Sequence, residues 1–587
     1  GDRQCSNQEL PMAKKSPSNS RPCTSLRTDF QEYIHGKLSA SLGVTPDSCD
    51  PRSSTFTREG YLVGQLFSKL PGVSNTPKSR AKAALDKFLS ADARNARSNE
   101  RLLWGEGFIH GTPVSEIFDC ARQICTSILG KRNDYVKAAL AGSFSGGAST
   151  SKRRGVSTAY FKFREQGDIT IAAMPYFERY RSLFRMDEVI SKFDTPVRVV
   201  DGNIFFTVPK NAETDRGACK EPDWNMFFQK GIGDFIRARL CRVGCDLNDQ
   251  TLNQRLAHAG SLDGSLATID LSAASDSNSF SLIERVIPYD LFKVLCDLRC
   301  EVTKLPDGTD YRPNMFSSMG NGFTFELESL VFLSLTRAIC YLFRIPGRIN
   351  VYGDDIIAPT AACPMLLDLL GYCGHRVNVD KTFTTGFFRE SCGKHFHKGI
   401  DVTPIYVRKP LESRLFTFIH CKNRRGGSYT VKVPDRRRII HLHNRLMQWG
   451  SVEGIVDPRL DGVIRELRDL VPTDFWGGRD VESIDALVTP DLPRMRYAEV
   501  YDRTNYSDEV VYLMNLNGSR TKSTLANDGL SYCDIETRKE RKLTTSSVVS
   551  GPGLQTSVTP RLLTKRNSTW CAKQYTVNDI PRLVSEV

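Results

Sequence analysis

Ile349-Asn350-Val351-Tyr352-Gly353-Asp354-Asp355-Ile356-Ile357-Ala358-Pro359 is the stretch that decides the fold. Two short apolar, β-branched runs flank Gly-Asp-Asp, the pattern of a β-hairpin with its acids at the tip. Gly353 supplies the backbone freedom that a tight turn needs. Two adjacent carboxylates between apolar strands repel each other, and a divalent cation offsets that repulsion. An isolated Gly-Asp or Asp-Asp pair is usually a solvated turn. Tyr-Gly-Asp-Asp within a chain of this length arises by chance on the order of once in a few hundred proteins.

A metal site for phosphoryl transfer needs a further carboxylate from a separate strand. Leu266-Ala267-Thr268-Ile269-Asp270-Leu271 reads as a buried strand with Asp270 near its end. The Ser/Ala run after it reads as a turn into a helix. A buried Asp in such a strand is unfavourable without a cation or a basic partner. Asp270 beside the Asp354 hairpin would cage two Mg²⁺ about 4 Å apart, which activate an attacking 3′-hydroxyl and stabilise a leaving pyrophosphate.

The 587-residue chain carries 80 Lys+Arg against 67 Asp+Glu, a net charge of +13. The surplus suits a polyanionic partner, nucleic acid or anionic membrane. With 40% hydrophobic and 25% charged residues, most of the chain is expected to be globular. The most apolar stretch, residues 323–345, holds Glu326, Glu328, Arg337 and Arg344, so no spanning helix of roughly 18 charge-free residues is expected. The first 22 residues are polar and unlike a secretory signal. Seventeen cysteines without a Cys-x-x-Cys pair read as reduced thiols, which fits a cytoplasmic protein.

Residues 1–25, rich in Ser, Pro, Asn and Lys, read as a loose arm. A mostly helical region follows to about residue 140. Next comes a Gly/Ser-rich loop, 142–155, containing Lys152, Arg153 and Arg154. Short strands are expected at 197–200 and 204–208, helices over 222–256, and alternating strands and helices over 262–410. His395/His397 and His441/His443 are His-x-His pairs; on a strand each would share a face, with Cys392 beside the first. Structural or RNA-facing histidines are the preferred reading of both.

Strand-Asp followed by a Tyr-Gly-Asp-Asp hairpin resembles the palm of viral RNA-dependent RNA polymerases. It resembles most the replicase subunits of the single-stranded RNA bacteriophages, the leviviruses. The matching segments include Phe144-Ser145-Gly146-Gly147-Ala148-Ser149, Thr207-Val208-Pro209-Lys210-Asn211 and Asp246-Leu247-Asn248-Asp249-Gln250. Residues 267–277, 318–329 and 352–357 continue the series, and Phe388-Arg389-Glu390-Ser391-Cys392-Gly393-Lys394-His395 ends it. They stand in family order over residues 144–410. Beyond about residue 461 the resemblance is weak, and residues 500–587 are assigned by position only.

The resemblance implies an α+β, right-hand polymerase with fingers, a palm carrying an antiparallel sheet, and a thumb. Residues 1–50 would form an arm and a fingers–thumb bridge, 51–261 the fingers, 262–400 the palm with fingers segments interleaved, and 401–587 the thumb and C-terminal region. A basic stretch at 417–438 departs from the family pattern and reads as an inserted β-hairpin near the RNA exit. The metal ligands carry over to Asp270, Asp354 and Asp355, with the Leu271 carbonyl beside them. The cofactor would be two Mg²⁺, with Mn²⁺ as a substitute. Lys210, Arg216 and Lys220 look like the basic fingers motif that meets a nucleoside triphosphate; the plainer reading is three cations on an ordinary loop.

Asp276, Ser318, Asn321 and Thr324 suit a ribose, since a 2′-hydroxyl both donates and accepts. Alternatively, Asp276 caps a helix and the loop residues satisfy their own backbone. Lys381 matches the lysine that protonates pyrophosphate in related enzymes, with an ordinary ion pair as the competing reading. Lys152, Arg153, Arg154, Arg424, Arg425, Arg436, Arg437 and Arg438 are candidates for RNA backbone. The implied partners are RNA template and product, NTPs, host elongation factors Tu and Ts, and a ribosomal RNA-binding protein, in the cytoplasm of a bacterial host. Two other functions stay open on the residues: an RNA-templated DNA polymerase, against which Gly353 between Tyr and Asp-Asp argues, and a non-catalytic RNA-binding or packaging protein.

The charge surplus makes a direct prediction. RNA affinity, measured by filter binding across a salt series, should fall linearly in log–log form, by roughly 0.7 per phosphate contacted.

Overall fold

The computed structural model describes residues 25–70, 76–131, 133–154, 157–183, 197–210, 215–408, 411, 416–422, 428–434, 437–452, 455–471, 476–478, 487–488, 496–503, 509–515, 541–542, 562–563 and 572–574. Residues 1–24 of the expected arm, and Arg424, Arg425 and Arg436, lie outside them. Two units emerge, one of residues 47–408 and one of residues 1–46 with 409–587.

The larger unit is built round helix Thr324–Leu342, within the most apolar stretch of the sequence. Leu327, Leu330, Val331, Phe332, Leu333 and Leu335 are all at most 2% exposed, so every side of it meets protein. Helices Val114–Leu129 and Asp223–Arg242 pack against it. Among the described residues, no helix is long and apolar enough to cross a membrane.

The hairpin forms as its alternation predicts. Strand Asn350–Tyr352 pairs antiparallel with Asp355–Pro359, closing at Tyr352↔Asp355. Asp355–Pro359 pairs antiparallel with Leu266–Ile269, in the register Ile356↔Ile269 and Ile357↔Thr268. That register brings Asp270, one step past the strand's end, level with Asp355. Leu271–Ser272 continues the chain and pairs with Arg376–Val377. Strands Phe388–Ser391, Lys394–His397 and Ile400–Asp401 make a separate antiparallel sheet. A four-stranded sheet in the order Asp310–Tyr311, Val302–Lys304, Gly202–Pro209, Asp215–Lys220 carries the candidate nucleotide cations.

The second unit holds helices Ser25–Ser41, Arg437–Gly450 and Asp461–Asp469. Tyr33 Oη donates to Glu466 Oε1 at 3.0 Å, and Lys37 pairs with the same carboxylate. Within the basic stretch, Phe416–Lys422 pairs antiparallel with Ser428–Pro434. Arg437 is the first residue of the helix that follows, which also holds His441 and His443. The shared-face premise for that histidine pair therefore fails, because residues two apart on a helix point about 200° apart.

One buried acid shows how distant segments are tied together. Asp92, on helix Pro77–Trp104, is 0% exposed. It accepts from Tyr311 Oη at 2.6 Å, Asn314 N at 2.9 Å, Asn314 Nδ2 at 3.0 Å and Met315 N at 2.7 Å. The helix thus clamps the turn before residues 318–329. Asp92→Ala should cost about 3 kcal/mol or more, because several donors lose their acceptor together; urea denaturation followed by circular dichroism checks this.

Candidate active site

Gly353 has φ +62°, in the left-handed region that glycine enters freely. A Cβ there would lie 2.6 Å from the Phe325 ring and 3.3 Å from Glu328 Oε1. The turn is fixed from below, where Gly353 N donates to Ser329 Oγ at 2.9 Å. Asp354 and Asp355 follow directly, both half-buried.

Asp270 is held through its backbone and its carboxylate by the loop after Arg376–Val377. Asn378 N donates to Asp270 O at 2.9 Å, and Asn378 Nδ2 to Asp270 Oδ2 at 2.6 Å. Thr382 Oγ1 accepts from Asp270 N at 3.1 Å and lies 3.2 Å from Asp270 O. The same loop carries Lys381.

The electrostatics are those of crowded acids. Burial, then the Asp270 charge, raises the Asp354 carboxyl above the usual range. Burial, then Glu390, Asp354 and Asp270, pushes Asp355 up to about 8. Partial burial works against the charge on Lys381, but Glu390, Asp270, Asp355 and Asp354 outweigh it and hold its pKa above the ordinary lysine value. These oxygen donors suit a hard divalent cation, whose charge would relieve the repulsion that lifts Asp354 and Asp355. Among the described residues, no three His, Cys, Asp or Glu side chains already converge on one ion position.

Of the three expected nucleotide cations, two are brought to the acids. Arg216 pairs with Val208 in the sheet, and Lys210 follows that strand's end. Partial burial, Arg216, Lys87 and Lys381 lower the Lys210 pKa, while Asp354 opposes them. Lys220 lies at the opposite end of its strand, paired with Ile204, and its Nζ sits 5.3 Å over the Phe206 ring.

Asp276 lies in the 3-10 turn Ser275–Ser277. It does not cap the next helix; Ser279 does, accepting from Leu282 N. Its Oδ1 is buried without a hydrogen-bond partner, as are Asn278 Oδ1 and Ser318 Oγ. Burial pushes Asp276 up to about 6, with Lys87, Lys210 and Arg216 pulling the other way. Thr324 Oγ1 is 2.7 Å from Ser317 Oγ and donates to Ser318 O at 3.1 Å. Asn321 Oδ1 accepts from Phe323 N at 3.0 Å. Those two residues satisfy their own loop, whereas Asp276 and Ser318 keep free oxygens.

Lys152 is turned inward. Its Nζ is 2.9 Å from Glu165 Oε2 and 3.2 Å from Gln166 O, and the residue is 9% exposed. Arg153 and Arg154 are exposed. His395 Nδ1 meets Tyr61 Oη at 2.9 Å, and burial holds the ring neutral. His397 stacks edge-on against Phe56. Cys392 turns away from both, its Sγ 3.6 Å from Asp355 Oδ2.

Sequence alone does not single out Glu390, Glu328, Lys87, Asn378 or Thr382. Glu390 is a buried acid in strand Phe388–Ser391 and acts on Asp355 more strongly than Asp354 does. The test applied to Asp270, an acid inside an apolar strand, does not find it, because Glu390 is flanked by Arg389 and Ser391. Lys87 lies far away in sequence on a helix and carries no such signal.

A family model described as RNA replicase, beta-chain, matches residues 27–580. The RNA-directed RNA polymerase beta chain of Enterobacteria phage fr is 38% identical over 505 residues, 85% of this chain and 87% of the relative. That of Escherichia phage MS2 is 38% identical over 510 residues, covering 84% and 86%. The RNA-directed RNA polymerase subunit beta of Qbeta virus (strain MX1) is 39% identical over 453 residues, covering 75% and 72%.

The crowding is testable without any activity. Asp355 has a folded pKa above its unfolded one, so it destabilises the chain progressively as pH rises from the ordinary carboxylate value toward 8. Asp355→Asn should therefore raise Tm in EDTA at pH 8 by about 2–4 °C, with the gain vanishing near pH 4. Differential scanning fluorimetry across pH measures it.

Proposed function

The chain belongs to the RNA replicase beta-chain family and is an RNA-directed RNA polymerase, the catalytic subunit of a phage replicase, and we propose that it copies single-stranded RNA by two-metal nucleotidyl transfer from NTPs. The observation that carries this reading is the register that sets Asp270 level with Asp355 on neighbouring antiparallel strands. Asp270, Asp354 and Asp355, with the Leu271 carbonyl, would hold two Mg²⁺, or Mn²⁺ in their place. Bound there, such ions supply Lewis-acid activation of the 3′-hydroxyl and charge neutralisation at the pyrophosphate.

The chain's own residues do the rest. Lys210 and Arg216, with Lys87 behind them, would neutralise the triphosphate; the charges of all three already act on Asp276. Asp276 and Ser318 supply unpartnered oxygens for the ribose hydroxyls, which supports NTPs over dNTPs. Asn321 and Thr324 would shape that loop. Lys381, whose pKa four carboxylates hold above the ordinary lysine value, would give a proton to the leaving pyrophosphate. Catalysis of this kind is positioning and charge stabilisation, with little covalent work by protein.

We assign 51–261 to fingers, 262–400 to palm and 401–587 to thumb and C-terminal region of a right hand, with 1–50 as the arm and bridge. Arg153, Arg154 and the basic stretch 417–438, including Arg437 and Arg438, would follow the RNA backbone. Elongation factors Tu and Ts and a ribosomal RNA-binding protein are the host partners this reading brings, in the bacterial cytoplasm.

Asp354→Asn should lower RNA-primed NTP incorporation in Mg²⁺ by about a thousandfold or more, while RNA binding in filter assays stays unchanged. Full extension by the variant would sink the mechanism and favour a binding protein. Preference for dNTPs would favour the DNA-polymerase reading.

A further inference from the structure

We propose that Arg52 is a positioning residue for the catalytic centre, clamping from outside the loop that holds Asp270 and carries Lys381. Its sequence context presents it for that role. Asp50-Pro51-Arg52-Ser53 folds as a β-turn, with Ser53 N donating to Asp50 O at 3.0 Å and Arg52 N to Asp50 Oδ1 at 2.9 Å. Asp at the first position and Pro at the second favour this turn, which projects the third side chain outward.

The turn is anchored independently of the loop it reaches. Phe56 is 9% exposed and belongs to a small core with Tyr61, Phe383, Phe388 and Val402. Its ring lies 5.5 Å from Tyr61, 5.6 Å from Phe388 and 4.8 Å from His397. Thr57 then caps helix Arg58–Leu66, accepting from Gly60 N at 3.0 Å, and Thr57 N donates to Ser48 O at 3.1 Å. Segment 48–61 is thereby fixed to the sheet beneath the acids.

From that anchor Arg52 reaches the far loop. Arg52 Nη2 donates to Val379 O and, at 3.3 Å, to Thr382 O. The guanidinium also lies 4.8 Å from the Phe383 ring centroid. The carbonyls belong to the two sides of Lys381. Inside the loop, Lys381 N donates to Asn378 O at 3.1 Å, and Phe383 N to Thr268 O at 2.8 Å. Asn378 and Thr382 are the residues that fix Asp270.

Val379 is 72% exposed, so apolar packing of its own does little to hold the crest of the loop. One guanidinium nitrogen bonds both carbonyls while the planar group lies over an aromatic ring; that supplies what packing does not, and lysine has no planar group to lay over the ring. Arg52 therefore sets where Lys381 stands relative to the acids and steadies the Asn378 and Thr382 contacts to Asp270, whose place strand register fixes.

The test uses the full chain, with any host proteins that accompany it, as Arg52→Ala, Arg52→Lys and Phe56→Ala. Arg52→Ala should speed amide hydrogen exchange in residues 378–383 and leave helix Cys363–Tyr372 and strand Leu266–Ile269 at wild-type rates. Tm should be unchanged, kcat for single-nucleotide incorporation should fall about tenfold, and KM for NTP should hold. Arg52→Lys should recover only part of kcat. Phe56→Ala should lower Tm, as removal of an anchor does.

Wild-type exchange at 378–383 in Arg52→Ala would overturn the inference, as would a global rise in exchange with a lowered Tm, which marks a merely structural residue. The exchange readout does not depend on the polymerase reading. Altered exchange with no incorporation by the wild-type chain would fault that reading and leave the clamp standing.

Discussion

Asp270, Asp354 and Asp355 repel one another, and main-chain register keeps them together anyway. The pairing of Asp355–Pro359 with Leu266–Ile269 leaves Asp270 no choice of neighbour, and the Gly353 turn leaves Asp354 and Asp355 none. A strand slip of one residue would turn the acids to the other face, but it would also expose Ile356, Ile269 and Val351, all at most 1% exposed. Burial of those side chains, at roughly 1.5–3 kcal/mol each, supplies the force that holds like charges side by side. The rest of the larger unit serves that arrangement.

The central helix explains why the turn can be so tight. It runs beneath the hairpin and offers Ser329 to the Gly353 amide, Phe325 to the Tyr352 ring at 5.2 Å, and Glu328 to Ser275 at 2.8 Å. Glu328 is buried, and burial followed by the Asp354 charge raises its pKa well above the usual carboxyl value. Burial and the Asp354 charge thus both disfavour a further negative charge under the turn. An apolar helix that carries a few polar groups at one end therefore both fills the core and shapes the site.

Legibility in the sequence followed locality. The hairpin, the strand before Asp270 and the helix Cys363–Tyr372 before Lys381 are each set by neighbouring residues, and period-2 or period-3.6 patterns display them. Asp276 was readable as a turn residue, but its partnerless Oδ1 was not, because that depends on Lys87, Lys210 and Arg216 arriving from elsewhere. Lys152, Arg153 and Arg154 look alike in sequence; only packing against Glu165 distinguishes the first. His395/His397 and His441/His443 share a spacing and differ in backbone period, strand against helix. Glu390 stood inside a quoted motif, but it joins the site only because its strand packs against Leu266–Ile269, where Glu390 N donates to Thr268 Oγ1 at 3.3 Å.

The cations complete the logic of the cluster. Even with Lys381 beside it, Asp355 is pushed up to about 8, and a divalent cation would favour its ionised form. Lys381 lowers Asp355, Asp354 and Glu390 alike, and Arg216 adds to its effect at Asp354. Each offsets part of the repulsion, and the acids stay above the usual carboxylate range all the same. The net charge of +13 then divides physically: arginines such as Arg153 and Arg154 stay exposed, while a few inward lysines and arginines tune carboxylates. Lys381 belongs to the second group, and its place depends on a loop whose crest is held by main-chain carbonyls. Where that loop sits decides how much of the repulsion among the acids is offset.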